Sequence, residues 1–190
     1  MSGNTFTNKL FGSVQVTKTF SGVDTLPDAF RIKAEWPIAM AQEGDAQTIT
    51  VYLNITDGAA FALPEGATLP IGVSITQTIG TATTDPQYRW TISGLPVGTQ
   101  VTFTEENYNV PGYNVTSTVT VGSGSAENGI SGTIPAAATP GRVDFTNTYE
   151  AGAELPSTGG PGTVLYTATG LTLLLGASLW LFLRRKKQTT

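Results

Sequence analysis

The chain contains no cysteine and no histidine. Without cysteine there can be no disulfide, no thiolate nucleophile and no thiolate metal site. Without histidine the usual general base and the commonest metal ligand are missing. This inventory excludes serine or cysteine triads and zinc centres, and neither an enzyme nor a cofactor or metal is expected. Charge is scarce as well, at 13% of 190 residues. Four of the ten Lys/Arg form a terminal cluster, Arg184, Arg185, Lys186 and Lys187, so the chain before it carries six against fourteen Asp/Glu, a net charge of −8. No basic stripe lies outside that cluster, which argues against nucleic acid and anionic membrane surfaces as partners. Before residue 163 there is no apolar stripe of helical period. Residues 1–12 (MSGNTFTNKLFG) have neither a basic n-region nor an apolar h-region, so they are not a signal peptide.

What is present begins with the end of the chain. Leu155-Pro156-Ser157-Thr158-Gly159 stands in a small-residue linker, 151–162. An uncharged stretch, 163–183, follows, and then the basic tail, 184–190. Twenty-one residues in a helix reach about 30 Å, one hydrocarbon core. A helix satisfies its own backbone in lipid. The basic cluster holds the cytoplasmic side, with Trp180 near that interface. Pro156 keeps the backbone extended or kinked and Gly159 adds no side-chain bulk, which suits a peptide threaded into a groove. This array resembles the LPxTG cell-wall sorting signal of Gram-positive surface proteins, and the match is complete. The resemblance implies a membrane sortase that cuts between Thr158 and Gly159. Its cysteine takes the Thr158 carbonyl as a thioester and passes it to an amine of peptidoglycan or a pilin. The membrane contact is then transient, and the final location is the cell surface, joined to the wall. Two rivals are a plain single-pass anchor with a chance LPSTG and a GPI signal. The basic terminus is foreign to the second. A sorting signal needs an export signal, so the sequence is expected to be a C-terminal fragment, a mis-set start or a piece of a longer gene.

The body, 13–150, is rich in Thr, Val and Gly, with turn dipeptides between alternating runs. That pattern predicts an all-β, Ig-like or prealbumin-like sandwich. Val14, Val16 and Phe20 share one face of a first strand, together with Lys18. Phe30, Ile32, Ala34 and Trp36 share a face of the next, and Ile49, Val51, Leu53 and Ile55 of a third. Val73, Ile75 and Ile79 suggest a further strand with Gln77 in phase, and Tyr88 to Ile92 another. Gly94 to Gly98 reads as a tight corner, and Pro111-Gly112 as a type II turn. Val101 and Phe103 face in with Glu105 in phase. Val115, Val119 and Val121 share a face. Residues 122–132 and 136–141 read as flexible. In the last strand Val143, Phe145 and Tyr149 face in, and Asn147 shares their face.

Three strands thus each place one polar side chain on the core phase: Lys18, Glu105 and Asn147. A buried unpaired Lys or Glu is expensive, so such residues must be partnered. A desolvated lysine favours its neutral amine, which can attack an amide carbon while a protonated carboxyl polarises that amide. The product is a Lys–Asn isopeptide bond, with ammonia lost. The ordinary alternatives are a lysine snorkelling at the rim, a glutamate opening a loop and an asparagine capping a turn. Glu106 and Asp144, on the opposite phase, read as solvated. Asn54 and Asn114 fit a glycosylation pattern by chance, and Asp24, Asp28, Asp45 and Asp57 lack calcium-loop spacing.

The strings VTKTF, GLPVGTQVTFTEEN with PGY, and VDFTNTY make the body, Ser13 to Tyr149, resemble the Cna B-type (prealbumin-like) repeats of Gram-positive adhesins and SpaA-like pilins. The resemblance implies an internal isopeptide between Lys18 and Asn147, assisted by Glu105. The excess length between Ala34 and Ile92 leaves strand order there open. No Tyr-Pro-Lys string is present, so a polymerising shaft subunit is not implied. Two functions follow: a wall-anchored structural module (stalk, basal pilin or adhesin fragment), or an adhesin domain for a host-matrix or cell-surface ligand. An exposed apolar or aromatic patch discriminates them, with Tyr52, Tyr88 and Tyr108 as candidates.

Overall fold

The computed structural model describes residues 10–27, 29–38, 47–55, 59–80, 86–152 and 161–186. Its strands are β1 (Phe11–Ser21), β2 (Arg31–Ile38), β3 (Gln47–Asn54), β4 (Phe61–Ala62), β5 (Ser74–Ile79), β6 (Tyr88–Pro96), β7 (Gln100–Glu106), β8 (Tyr113–Val121), β9 (Glu127–Asn128), β10 (Ser131–Pro135) and β11 (Gly141–Ala151), followed by the helix α1 (Pro161–Lys186). The chain divides into two units, Met1–Gly152 and Ala153–Thr190.

Period-two alternation builds the first unit. The apolar phase of each long strand can leave water only if a second sheet covers it. The result is the expected all-β sandwich, with sheets ordered β5-β6-β1-β11-β8-β9 and β10-β7-β2-β3-β4. Val14, Val16 and Phe20 of β1, Val143, Phe145 and Tyr149 of β11, and Ile32, Ala34 and Trp36 of β2 are buried. Each of the larger of these side chains contributes about 1.5–3 kcal/mol by leaving water. Trp90 is fully buried, and its Nε1 donates to the Ala60 carbonyl at 3.0 Å, so its polar edge is satisfied.

Among the described residues strand pairing is antiparallel with one exception. β1 and β11 run parallel, from Val14 opposite Gly141 to Ser21 opposite Thr148. The first and last long strands of the domain are therefore neighbours in the middle of the larger sheet.

Pro111-Gly112 forms the expected turn: Gly112 has φ +85° and Tyr113 N–H donates to the Val110 carbonyl at 3.1 Å. Gln77, in phase on β5, spans the two sheets by donating to the Asn54 carbonyl at 2.7 Å. Three readings differ from the sequence expectation. Part of the stretch read as flexible forms β9 and β10, and β10 pairs with β7 along its length. It was hidden because its inner face carries Gly132 and Ile134 where a pattern search seeks two large apolar residues. A Cβ on Gly132 would press on Val143, Val121 and Val119, so the glycine admits close packing rather than flexibility. The corner predicted over Gly94 to Gly98 forms in its second half, where Thr99 N–H donates to the Pro96 carbonyl at 3.0 Å, while Gly94 lies inside β6, where the β1 register shifts between Gly12 and Ser13. Gly94 takes φ +81° there, as a bulge residue. Thr17, on the outward phase, is buried and donates to Asp144 Oδ1 at 2.5 Å. Asp144 also accepts from Arg142 at 2.8 Å, and Glu106 from Arg31 at 2.7 Å, so neither acid is simply solvated. The Asp57-Gly58 turn, Asp28, Asp45 and Asp85 lie outside the described residues.

The helix α1 opens on Pro161, whose fixed φ and missing N–H suit a first turn. Along it the Thr172 and Ser178 hydroxyls donate back to the Ala168 and Leu174 carbonyls, which removes two polar groups from its surface. Among the described residues no helix is long and apolar enough to cross a membrane. Residues 163–165, 179 and 181–183 of the predicted span are outside the side chains described.

Candidate functional site

Lys18 is carried by β1 at the position opposite Phe145 of β11, and Asn147 lies two residues further along β11, opposite Phe20. Same-phase residues of parallel neighbours project to one face, so the two side chains are diagonal neighbours inside the sandwich. Glu105 is carried by β7 of the other sheet, opposite Ile32. It reaches across the core, and Lys18 Nζ and Glu105 Oε1 are 2.5 Å apart. Lys18 is 0% exposed, Glu105 2% and Asn147 0%. The structure therefore brings all three sequence-derived residues into the core interior, not to a rim, a loop or a turn.

The setting is apolar. Lys18 Nζ stands 4.8 Å from the centre of the Phe20 ring and 5.3 Å from that of Phe30. These rings meet edge to face at 5.0 Å. Gln87 fixes Phe20 by taking the Phe20 N–H at 2.8 Å and donating to its carbonyl at 3.2 Å. Burial pushes the Lys18 ammonium down to about 8, against the opposing pull of the Glu105 charge. Burial likewise pushes Glu105 up, against Lys18 and the nearby Asn147 and Ser117 side chains. For both groups desolvation outweighs the partner. Burial thus moves both groups toward their neutral forms, amine and carboxylic acid.

Lys18 Nζ, both Glu105 oxygens, Asn147 Nδ2 and Oδ1, and Ser117 Oγ are buried without a hydrogen bond of ordinary geometry. Among the described residues one other buried side-chain atom shares that condition, Arg89 Nε, on the opposite phase of its strand. Folded chains leave few such atoms. The other six gather in one buried cluster, with the Lys18, Asn147 and Ser117 side chains all within reach of Glu105.

Ser117 was not singled out from the sequence. It lies on β8 directly opposite Asn147, on the inner face. The signal was available, since Ser117 falls midway between Val115 and Val119 in the same phase.

The three tyrosines do not make an open aromatic patch. Tyr52 lies under Arg31, whose guanidinium carbon is 4.0 Å from the ring centre. Tyr88 stacks on Trp90 at 6.0 Å. Tyr108 packs against the core, and its carbonyl accepts from the Tyr149 hydroxyl at 2.6 Å. An apolar patch does exist elsewhere. Phe11, Ile71, Pro70 and Leu95 line an open cavity of about 600 Å³, at which Phe11 and Ile71 are largely exposed.

Leu155, Pro156, Ser157, Thr158 and Gly159 lie outside the described residues. The sequence there is matched by a family model: residues 147–189 match the LPXTG cell wall anchor motif. Residues 57–150 match a domain of unknown function, DUF5979. No curated protein matches the chain. Among solved structures, the major pilin protein T-13 from Streptococcus pyogenes is 17% identical, with a TM-score of 0.37, over 73% of this chain and 45% of that one. The major pilin protein T3.2 from Streptococcus pyogenes is 16% identical, with a TM-score of 0.37, over 72% of this chain and 44% of that one. A pilus-presented adhesin, Cpa, is 17% identical, with a TM-score of 0.35, over 73% of this chain and 27% of its own. The chain spans less than half the length of each.

Proposed function

From a protein attached covalently to the cell wall at the cell surface through its LPXTG anchor motif, we propose a structural role: a load-bearing module of stalk, basal-pilin or adhesin-fragment type, hardened by an isopeptide bond between Lys18 and Asn147. The observation that carries this reading is the fully buried cluster of Lys18, Glu105 and Asn147 around the 2.5 Å Lys18–Glu105 contact.

The chemistry needs no added reagent. Proton transfer from Lys18 Nζ to Glu105 gives the amine and the carboxylic acid. The amine lone pair attacks Asn147 Cγ, and the Glu105 acid donates a proton to Oδ1. Glu105 then takes a proton from Nζ and passes it to Nδ2, and as ammonia leaves the Oδ1 proton returns to Glu105 and the carbonyl re-forms. The Nζ–Cγ bond replaces the Cγ–Nδ2 bond, ammonia departs, and the buried charges disappear with it. Burial among Phe20 and Phe30 favours every neutral species on this route.

The topology makes the bond useful under load. β1 and β11 are parallel, so tension between the start of β1 and the end of β11 shears their ladder rather than unzipping it. With Lys18 joined to Asn147, tension passes from β1 through the bond into β11, and the residues between leave the load path. Intact mass measurement tests this: the parent should be lighter than its sequence by one ammonia, and Glu105→Ala should have the full sequence mass. A parent of full mass after prolonged folding would refute it.

Sortase cutting between Thr158 and Gly159, with α1 as a transient membrane anchor, completes the proposal. The back-bonded Thr172 and Ser178 hydroxyls and the basic cluster after the helix support that role. A second reading, an adhesin domain for a host or cell-surface ligand, has one observation in its favour, the apolar cavity at Phe11 and Ile71. Under it, Phe11→Ser with Ile71→Ser abolishes attachment of expressing cells to matrix; under the structural reading attachment is unchanged.

A further inference from the structure

Asn147 has a different neighbour on each side within its sheet. Toward β1 stands Lys18, one diagonal step away, and toward β8 stands Ser117, in direct register. Glu105 covers the group from the opposite sheet. Ser117 Oγ is buried beside the reacting residues without a hydrogen bond of ordinary geometry, whereas the Tyr149 hydroxyl near Asn147 is taken up by the Tyr108 carbonyl at 2.6 Å. A hydroxyl is the one small group able to donate and accept at once. The flank is otherwise valine: Val115 and Val119 occupy the same face of β8 two residues either way. An apolar residue would continue that face at lower cost than an unpartnered hydroxyl.

Resting on the isopeptide reading, we propose that Ser117 is a positioning residue for the cross-link: its hydroxyl accepts from Asn147 Nδ2–H and donates to the Glu105 carboxyl. This arrangement pins the amide plane from the β8 side. Nδ2, the leaving group, is held toward β8, while Oδ1 is left for the protonated oxygen of Glu105 and Cγ presents its face to Lys18. Without the hydroxyl the amide loses its restraint from the β8 side about χ2, which is a broad torsion. Fewer encounters with Lys18 Nζ then have the reacting atoms aligned, and misplacement on this scale slows a reaction by one to two orders of magnitude, roughly. Ser117 acts here before the bond forms; once ammonia has left, the role ends. The nearby Ser117 side chain also opposes the upward shift of Glu105, in keeping with a hydroxyl directed at that carboxyl.

The test follows bond formation in time. The full chain is made by cell-free synthesis in detergent micelles, and intact mass is sampled for loss of one ammonia in the parent, Ser117→Ala and Ser117→Thr. Ser117→Ala should lose ammonia at least about tenfold more slowly, and Ser117→Thr, which keeps the hydroxyl, should approach the parent rate. The same alanine substitution is made in the unreactive Asn147→Ala background and melted. A midpoint equal to that of Asn147→Ala alone places the effect on the reaction, not the fold. A parental rate for Ser117→Ala overturns the inference while leaving the cross-link intact. A slow rate joined to a lowered midpoint in the unreactive background also overturns it, in favour of a packing role. A parent that never loses ammonia overturns both the cross-link and this inference.

Discussion

Replacing Asn147 by alanine removes the cross-link and little else. The Lys18–Glu105 pair stays intact, no buried charge is orphaned, and the cavity left is a few atoms in size. The expected loss is therefore close to that of the bond alone. Lys18 and Asn147 lie near opposite ends of the domain, about 130 residues apart in sequence. Chain-entropy reasoning for a loop of that length gives about 5 kcal/mol. At roughly 2–4 °C per kcal/mol for a domain of this size, the melting midpoint should fall by about 10–20 °C. Glu105→Ala should fall further. It forms no bond and also leaves Lys18 without its partner, adding about 3 kcal/mol, the low end for a broken buried pair because Lys18 can shed its proton. That total is comparable to the whole stability of an ordinary domain, so Glu105→Ala is at risk of not folding and Asn147→Ala is the cleaner probe. The assay is thermal unfolding followed by tryptophan fluorescence, since Trp36 and Trp90 are buried in the core, with intact mass recorded on the same samples. If Asn147→Ala melts within two or three degrees of a parent that has lost ammonia, the cross-link does not restrain the unfolded chain and the mechanical reading fails with it.

Three further outcomes follow from the same geometry. Gly94→Ala should lose at least about 2 kcal/mol, because φ +81° disfavours a side chain and a Cβ would overlap the Gly72 carbonyl oxygen; urea titration that finds no loss would mean the bulge relaxes. In the Asn147→Ala background Lys18 remains an amine with its folded pKa pushed down to about 8 from 10.5. Between those values the folded state binds fewer protons than the unfolded one, so this group's penalty is full below pH 8 and is relieved as pH rises to 10.5. Glu105, raised from 4.5, has the opposite slope, its contribution falling as pH climbs above that value. The stability of Asn147→Ala minus that of Lys18→Met with Asn147→Ala should therefore grow between pH 8 and 10, and a flat difference would show that Lys18 titrates as it does in water. Finally, Pro156→Ala or Thr158→Ala, behind a grafted export signal, should leave the sandwich folded but shift the protein from digested walls to membrane or medium; equal wall linkage of both variants and parent would mean that LPSTG is not read.

The sequence alone determined what is one-dimensional in this protein. The tail is a linear string, and its parts have meaning by order and length. The all-β class and the inward phase of Lys18, Glu105 and Asn147 follow from a period of two, which is a property of each strand by itself. Tertiary structure decided the rest because strand pairing is non-local. Nothing within VTKTF or VDFTNTY states that β1 and β11 lie side by side and parallel, or that β7 carries Glu105 over them from the other sheet. Only that pairing turns three in-phase polar residues into one contact. Ser117 was visible in phase, but its meaning depends on standing opposite Asn147, a matter of β8–β11 register. β10 was invisible for a related reason. Its stability comes from ladder bonds to β7 and from a glycine pressed against valines of β8 and β11. Such close packing can be known only when the neighbours are in place.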